Sequence, residues 1–521
     1  MFTVCILTAG KGTRMGSYSQ YINKSLLPID RKATISHIIK KFPPETEFVI
    51  ALGYLGQQVV NYLKTAHSSL NIRFVNVDNY EGLGSGPGYS LLCCQGYLQK
   101  PFFFVSCDTL WQEDLDFSLN ENWLGVAKVP EEESQKYCNL KVDSGKIVDI
   151  RDKEAVSGSE YYAFIGLCYI KDHQVFWDGL RAKNIVAGEH QVSNGIRALI
   201  ESRQTLAMEV QWNDVGDLEK YTKVLSQYEN YDFSKINEFI YIVNRKVIKF
   251  FANEAIAEKR VKKANLNPRV FPKISYHQGQ FYSYEFLTGK TLYEDNNHSV
   301  FSNFLSWLER ELWQEVQFDA GEMSNVCSEF YYSKTIKRLK LYHDKYNYTD
   351  DNSTVNGVEI PPTKVLLEQV PWGLLSKAVP SFMHGDLQFD NVLYDRESSN
   401  FYLLDWRQDF GGFVEVGDLY YDLAKLYGGI VLNYDYIKLN LFTYNEKDGE
   451  IEFDFAQRFM TNVYLEILVN FINSKGLKLE KVKLLVALIY LNMSPLHHYP
   501  FDKMLYSLGR LRLFQELEAL A

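Results

Sequence analysis

The run Phe2-Thr3-Val4-Cys5-Ile6-Leu7 is short, apolar and partly β-branched, the pattern of a buried strand. It opens directly into Thr8-Ala9-Gly10-Lys11-Gly12-Thr13-Arg14-Met15-Gly16. A buried strand feeding a glycine-rich loop makes a place for an anion. The glycines let backbone N–H groups approach it closely, and Lys11 and Arg14 add charge. The spacing matches neither GxxxxGK[ST] nor GxGxxG, which excludes the P-loop and the dinucleotide fingerprint.

Further strands are predicted at 48–54, 72–77 and 102–107, with helices over 34–41 and 55–65 between them. Strands alternating with helices indicate an α/β layer with a mixed, mostly parallel sheet, in which ligands bind outside the carboxyl ends of the strands. The glycine-rich loop lies at such an end, and Asp108 ends the strand at 102–107. Asn23-Lys24-Ser25-Leu26-Leu27-Pro28-Ile29 supplies a cation, and Trp212-Asn213-Asp214-Val215-Gly216 a second carboxylate. Two carboxylates that meet at a phosphate site suit Mg²⁺, a hard ion that takes oxygen ligands. Taken singly, Lys24 reads as a surface charge and Asp108 as a helix cap; their order along the chain carries the functional reading.

This ordered set resembles the nucleotidyltransferases that make nucleoside-diphosphate sugars and CDP-alcohols, over roughly the first 225 residues. The resemblance implies a Rossmann-like domain over 1–228. Leu7, Ala9, Gly10, Gly12 and Thr13 would bind the nucleotide, and Gly82 and Gly86, in Glu81 to Gly88, would lie near base and ribose. Arg14 would face the β,γ-phosphates, Lys24 the α-phosphate and Lys153 the acceptor phosphate. Asp108 and Asp214 would ligate Mg²⁺. The chemistry implied is in-line attack by a phosphate oxygen on the α-phosphorus of an NTP, which depends on positioning and charge neutralisation.

A different pattern begins near Ser234. Strand-like runs at 239–243 and 247–251 flank Asn244-Arg245-Lys246, a helix is predicted over 253–263, and Phe281 to Phe286 reads as another strand. A helical region from about 299 to 346 follows, and the polar stretch 347–362 reads as a loop. Then comes His384-Gly385-Asp386-Leu387-Gln388-Phe389-Asp390-Asn391, the H-x-D-x-x-x-x-N spacing of a kinase catalytic loop, with Asp405-Trp406 after the next strand. One Asp near an acceptor hydroxyl can take its proton, and the Asn and second Asp can reach a metal on the phosphates. His384 reads as a structural hydrogen-bonding residue.

This stretch resembles the aminoglycoside phosphotransferase and choline kinase family over about 235 to 521. The resemblance implies a two-lobed α+β protein-kinase-like fold, with an N-lobe at 229–290 and a largely helical C-lobe at 291–521. Asp386 would be the catalytic base, Asn391 and Asp405 Mg²⁺ ligands, and Lys249 a contact to ATP phosphates with Glu258, or in its place Glu254, as its helix partner. Glu285 would lie in the adenine hinge. The segment Glu415 to Asp422 would brace the catalytic loop through Asp418.

The chain has 521 residues, 46% hydrophobic and 23% charged, which suits several globular domains. A net charge of −10 argues against a nucleic-acid partner. The seven scattered cysteines show no zinc spacing and read as reduced thiols of a cytoplasmic protein. No apolar run reaches the ~20 residues of a membrane span. A homo-oligomer is compatible with the sequence. A kinase makes a phosphate ester and a nucleotidyltransferase activates one. The reading is therefore a bifunctional enzyme that phosphorylates a small alcohol with ATP and transfers a nucleotidyl group, CMP from CTP, to the phosphate for surface-polysaccharide or lipid precursors. A choline-like alcohol is the first expectation, with Trp307, Trp313, Tyr331, Tyr332, Trp372 and Trp406 as candidate cation-binding faces. The alternatives are a sugar kinase with a sugar-1-phosphate uridylyl- or guanylyltransferase, and a transferase carrying a non-catalytic kinase-like binding module.

Overall fold

The computed structural model describes residues 2–182, 185–186, 188–228, 236–295 and 297–521. It divides into two compact units. Of the described residues, the first holds 2–228, 236–253 and Gln280–Ser283, and the second Glu254–Gly279 and Tyr284–Ala521. The expected boundary near Tyr228 to Ser234 falls on 229–235, outside the described residues.

The first unit is built on a nine-stranded sheet. Its order is Asn71–Asn76, Glu47–Leu52, Thr3–Leu7, Phe102–Ser106, Tyr161–Ile170, Asn122–Ala127, Thr205–Glu209, Lys146–Asp152, Cys138–Asp143. The first four strands run parallel, as the alternation of strands and helices requires. From Tyr161–Ile170 onward the pairings are antiparallel, apart from Asn122–Ala127 with Thr205–Glu209. The sheet is mixed, as expected, but parallel through only about half its width. Hairpin connections replace crossover helices where Cys138–Asp143 meets Lys146–Asp152. Thr3–Leu7 is buried throughout, so its end, and the loop after it, is fixed from both sides. Asn23 adds to this by donating to the carbonyls of Thr8 (2.9 Å) and Tyr54 (2.7 Å).

The hairpin Glu238–Val243/Lys246–Phe251 turns on Asn244 and Arg245, both at positive φ, the geometry of a two-residue turn whose twist matches the strands. It is grouped with the first unit because Tyr241 Oη donates to Leu26 O (2.8 Å), Ile242 N to Arg31 O (2.7 Å) and Asn244 to Ala66 O (2.8 Å).

The second unit is largely helical. Leu479–Met493 is buried along most of its length and is packed by Lys334–Tyr346, Leu419–Val431 and Phe501–Leu520. No helix among the described residues is long and apolar enough to cross a membrane. Ala320–Ser328 and Lys334–Tyr346 are joined by a π-helical turn, Glu329–Ser333. The polar stretch 347–362, expected as a loop, holds a short hairpin instead. Ser353–Val355 pairs with Val358–Ile360 across Asn356-Gly357, both left-handed, and extends onto Glu450–Phe455. Arg510, fully buried, clasps this region through Tyr348 Oη (3.2 Å), Ser353 Oγ (2.9 Å) and the carbonyls of Asp351 (3.1 Å) and Pro361 (2.8 Å). Replacing it removes all these bonds at once, together with the packing of a fully buried side chain. We expect Arg510→Leu to lower unfolding stability by about 3 kcal/mol in denaturant titration.

Candidate active sites

In the first unit the glycine-rich loop leaves Leu7 and is held against its neighbours. Tyr54 N donates to Ala9 O (2.9 Å), and Gly12 takes the left-handed conformation at φ +63°. A Cβ on Gly12 would lie 3.2 Å from Lys24 Cβ, so glycine there lets the Lys24 stem pass close to the loop. Gly10, Thr13 and Arg14 are exposed. Lys11 pairs with Glu81, which brings the loop to the Glu81–Gly88 segment. There Gly82 and Gly84 are left-handed with open space beside them, whereas Gly86 presses on the backbone of His190.

Lys24 Nζ lies 2.7 Å from Asp108 Oδ2 and donates to Gly216 O at 2.8 Å. A Cβ built on Gly216 would sit 2.7 Å from Asp214 Oδ1 and 3.6 Å from Asp108 Oδ2, so the two carboxylates flank one small space. Lys24, Asp108 and Asp214 therefore converge, as expected. Burial pushes the Asp108 carboxyl up, but the Lys24 ammonium and then Arg14 outweigh it and hold the acid below its ordinary range. Sequence reasoning missed two neighbours of Asp214. Lys220 Nζ lies 2.6 Å from its Oδ2, and Tyr137 Oη donates to it at 3.2 Å. Lys153, at φ +57°, lies 3.4 Å from Glu189 Oε2.

In the second unit the loop at His384–Asn391 is fixed from behind. Asp422 accepts from His384 N (2.8 Å), Gly385 N (2.6 Å) and Trp313 Nε1 (3.1 Å). The bracing residue is thus Asp422 and not Asp418. Asp418 caps the helix Leu419–Val431 and pairs with Lys481 at 2.9 Å, and one turn later Asp422 faces the loop. His384 Nδ1 accepts from Asp386 N (3.1 Å) and Nε2 lies 2.8 Å from Leu404 O. The ring is therefore a neutral Nε2–H tautomer, and burial holds its pKa down at about 3. It is structural, as expected.

Asp386 keeps 41% of its side chain exposed, and Lys425 Nζ lies 2.6 Å from its Oδ1. Its surroundings push the carboxyl up, but Lys425, His384 and Arg407 outweigh this and hold it below the ordinary carboxylate value. Asn391 Nδ2 donates to Asp386 O at 2.9 Å, which leaves Asn391 Oδ1 as an oxygen ligand. Asp405 stands at φ +53°, with Arg260 Nη1 3.9 Å from Oδ1. Lys249 is buried on Lys246–Phe251 in the first unit, Glu258 is exposed on the helix Glu254–Leu266 of the second, and Glu285 ends the strand Phe281–Glu285.

Among the described residues no group of three or more His, Cys, Asp and Glu side chains could cage a metal. Asp108 with Asp214, and Asn391 with Asp405, still fit Mg²⁺, which takes one or two protein oxygens and completes its shell with phosphate and water.

Residues 4–124 match the MobA-like NTP transferase domain. The chain is similar to the bifunctional protein GlmU of Methanococcus maripaludis, 26% identical over 218 residues, covering 40% of this chain and 50% of that protein. It is also similar to that of Methanocaldococcus jannaschii, 24% identical over 250 residues, covering 47% and 59%. The chain spans about half the length of these curated relatives. Two solved structures were also matched. A UDP-glucose pyrophosphorylase bound to UDP-glucose aligns at 18% identity and TM-score 0.39, over 44% of this chain and 98% of that one. The UDP-glucose pyrophosphorylase of Acinetobacter baumanii aligns at 16% and 0.37, over 44% and 93%. The protein is thus one that carries a nucleotidyltransferase-type domain at its N-terminal end.

The Lys425–Asp386 pair sets a pH test. A carboxyl held low stays ionised as pH falls through the ordinary range, and removing its cation returns the acid towards protonation there. For the ATP-dependent phosphorylation proposed below, we expect Lys425→Met to move the acid limb of the kcat/KM profile upward by about one pH unit. An unmoved limb would show that Asp386 does not govern it.

Proposed function

We infer that the first unit catalyses nucleotidyl transfer to a small-molecule phosphate and that the second phosphorylates an alcohol with ATP. The transferase reading rests on the convergence of Lys24, Asp108 and Asp214 beside the glycine-rich loop. An acceptor phosphate oxygen attacks the α-phosphorus of the NTP, and pyrophosphate leaves. Lys24 meets the charge developing on the α-phosphoryl oxygens, and Arg14 the departing pyrophosphate. Mg²⁺, held by Asp108 and Asp214, supplies charge neutralisation at the phosphates. Lys153 receives the acceptor phosphate. The relation to the GlmU proteins favours a sugar 1-phosphate as acceptor.

The kinase reading rests on Asp386, aligned by Asp422 behind it and Lys425 beside it. Asp386 accepts the proton of the acceptor hydroxyl, whose oxygen attacks the γ-phosphorus as ADP leaves. Asn391 and Asp405 hold the metal at the phosphates. Glu285, at the end of the strand Phe281–Glu285, serves the adenine hinge in this reading.

A choline-like acceptor with CTP, the first expectation from the sequence, becomes the second reading. Of its candidate aromatic faces, Trp313 and Trp406 are buried and donate to Asp422 and Arg260 O, and Trp307 packs on Phe304 and Phe401. Tyr332 and Trp372, 5.0 Å apart, still line an apolar pocket of about 280 Å³ with Cys327 and Leu375. The test is a pyrophosphate-release screen of the four NTPs against sugar 1-phosphates, phosphocholine, phosphoethanolamine and glycerol phosphate. We expect release with a sugar 1-phosphate, reduced at least about 100-fold by Asp108→Ala. Release undiminished in that variant would remove the metal assignment, and release with phosphocholine alone would favour the second reading.

A further inference from the structure

The catalytic loop of the second unit is bordered by cations without carboxylate partners. The π-helical turn Glu329–Ser333 carries Phe330, and such turns often mark functional sites. Lys334 Nζ lies 4.1 Å from the centre of the Phe330 ring, and Arg407 Cζ 4.9 Å from it. One ring thus holds two like charges beside each other. Phe330 contacts Tyr421 at 5.0 Å, and Tyr421 also lies 5.8 Å from Lys334. One turn beyond Tyr421 is Lys425, paired with Asp386. Arg338 follows Lys334 by one turn on the same helix. Among the described residues, no carboxylate comes within 4.0 Å of Lys334, Arg338 or Arg407. Asp386 is shared by the whole group and already committed to Lys425.

This arrangement is costly as it stands. Burial, and then Arg407, Arg338 and Lys425, push the Lys334 ammonium well below its usual value. Burial and then Arg407 also lower the pKa of Arg338. An oxyanion placed among the three side chains relieves that repulsion. Lys334 and Arg407 both interact electrostatically with Asp386, whereas Asp405 has Arg260 beside it. In the kinase reading, on which this inference rests, Asp386 meets the acceptor hydroxyl and Asp405 serves the nucleotide phosphates.

We propose that Lys334, Arg338 and Arg407 form an oxyanion subsite for the acceptor, so that the alcohol phosphorylated by this unit carries a phosphate or carboxylate group. A cationic acceptor such as an amino alcohol is repelled from the same position. The subsite selects substrate by charge, and its three side chains bind and orient the acceptor while Asp386 takes the proton.

The test uses the full chain with ATP and matched alcohols: glycerol 3-phosphate and a hexose phosphate, glycerate, uncharged glycerol and glucose, choline and ethanolamine. The expected result is a kcat/KM at least about 100-fold higher for an anionic alcohol than for its uncharged analogue. The phosphates and glycerate report which oxyanion is preferred. Lys334→Gln with Arg338→Gln should raise KM for that acceptor about 10-fold or more while leaving KM for ATP within about two-fold. Arg338→Lys, which keeps the charge, should retain most of the wild-type KM and guards against a loss due to misfolding. Choline, ethanolamine or an uncharged alcohol used as well as the anionic ones would overturn the inference and leave the kinase reading standing. A rise in KM for ATP in place of the acceptor would reassign the cations to the nucleotide and overturn it too. Failure to phosphorylate alcohols of every charge, with ATP still bound, would remove the kinase reading and the inference together.

Discussion

One ammonium group organises the first site. Lys24 bridges the Asp108 carboxylate and the Gly216 carbonyl, 192 residues from Lys24 along the chain, and so ties the end of a central strand to the Trp212–Gly216 turn. Gly12 has no side chain to stand in the way of the lysine stem, and Asn23 anchors the preceding turn to the loop backbone. Without that cation, two carboxylates would flank one small, partly buried space and repel each other. With it, Asp108 stays ionised despite burial. The charge that the proposed metal and nucleotide would need is therefore in place beforehand, which is the condition for electrostatic catalysis without reorganisation.

The second unit uses the opposite device. Asp422 is buried, and its partners are backbone N–H groups of His384 and Gly385, in the His384–Asn391 loop, and an indole N–H. Burial pushes the Asp422 carboxyl above its ordinary pKa, and those donors offset the rise only in part. The loop conformation and the charge on Asp422 thus depend on each other. That fixed loop sets Asp386 in reach of Lys425, and Lys334 and Arg407 lie against the Phe330 ring nearby.

Much of this was legible in the sequence where local pattern decides structure. The apolar run at 2–7 forms Thr3–Leu7, and the run at 102–107 forms Phe102–Ser106 with Asp108 just past its end. Lys24, Asp108 and Asp214 are far apart in sequence, yet they converge because each sits at an element end on the same side of the sheet. Lys220, Tyr137, Lys334 and Arg338 carried no signal, since surface-like cations and tyrosines acquire a role only from what packs beside them. The choice between Asp418 and Asp422 needed the helix start, because the capping position consumes the first carboxylate. The hairpin at Ser353–Ile360 was hidden by short polar strands, although Asn356-Gly357 is a turn signal. The antiparallel half of the sheet was hidden because, apart from the hairpin Cys138–Asp143/Lys146–Asp152, its pairings join segments distant in sequence.

The central claim is that the two units act in succession on one small molecule. The direct measurement is pyrophosphate release by the full chain carrying Asp386→Ala, supplied with ATP, the second NTP and either the alcohol or its phosphate. The account predicts no release from the alcohol and wild-type release from the preformed phosphate. Release from the alcohol at the wild-type rate would contradict it.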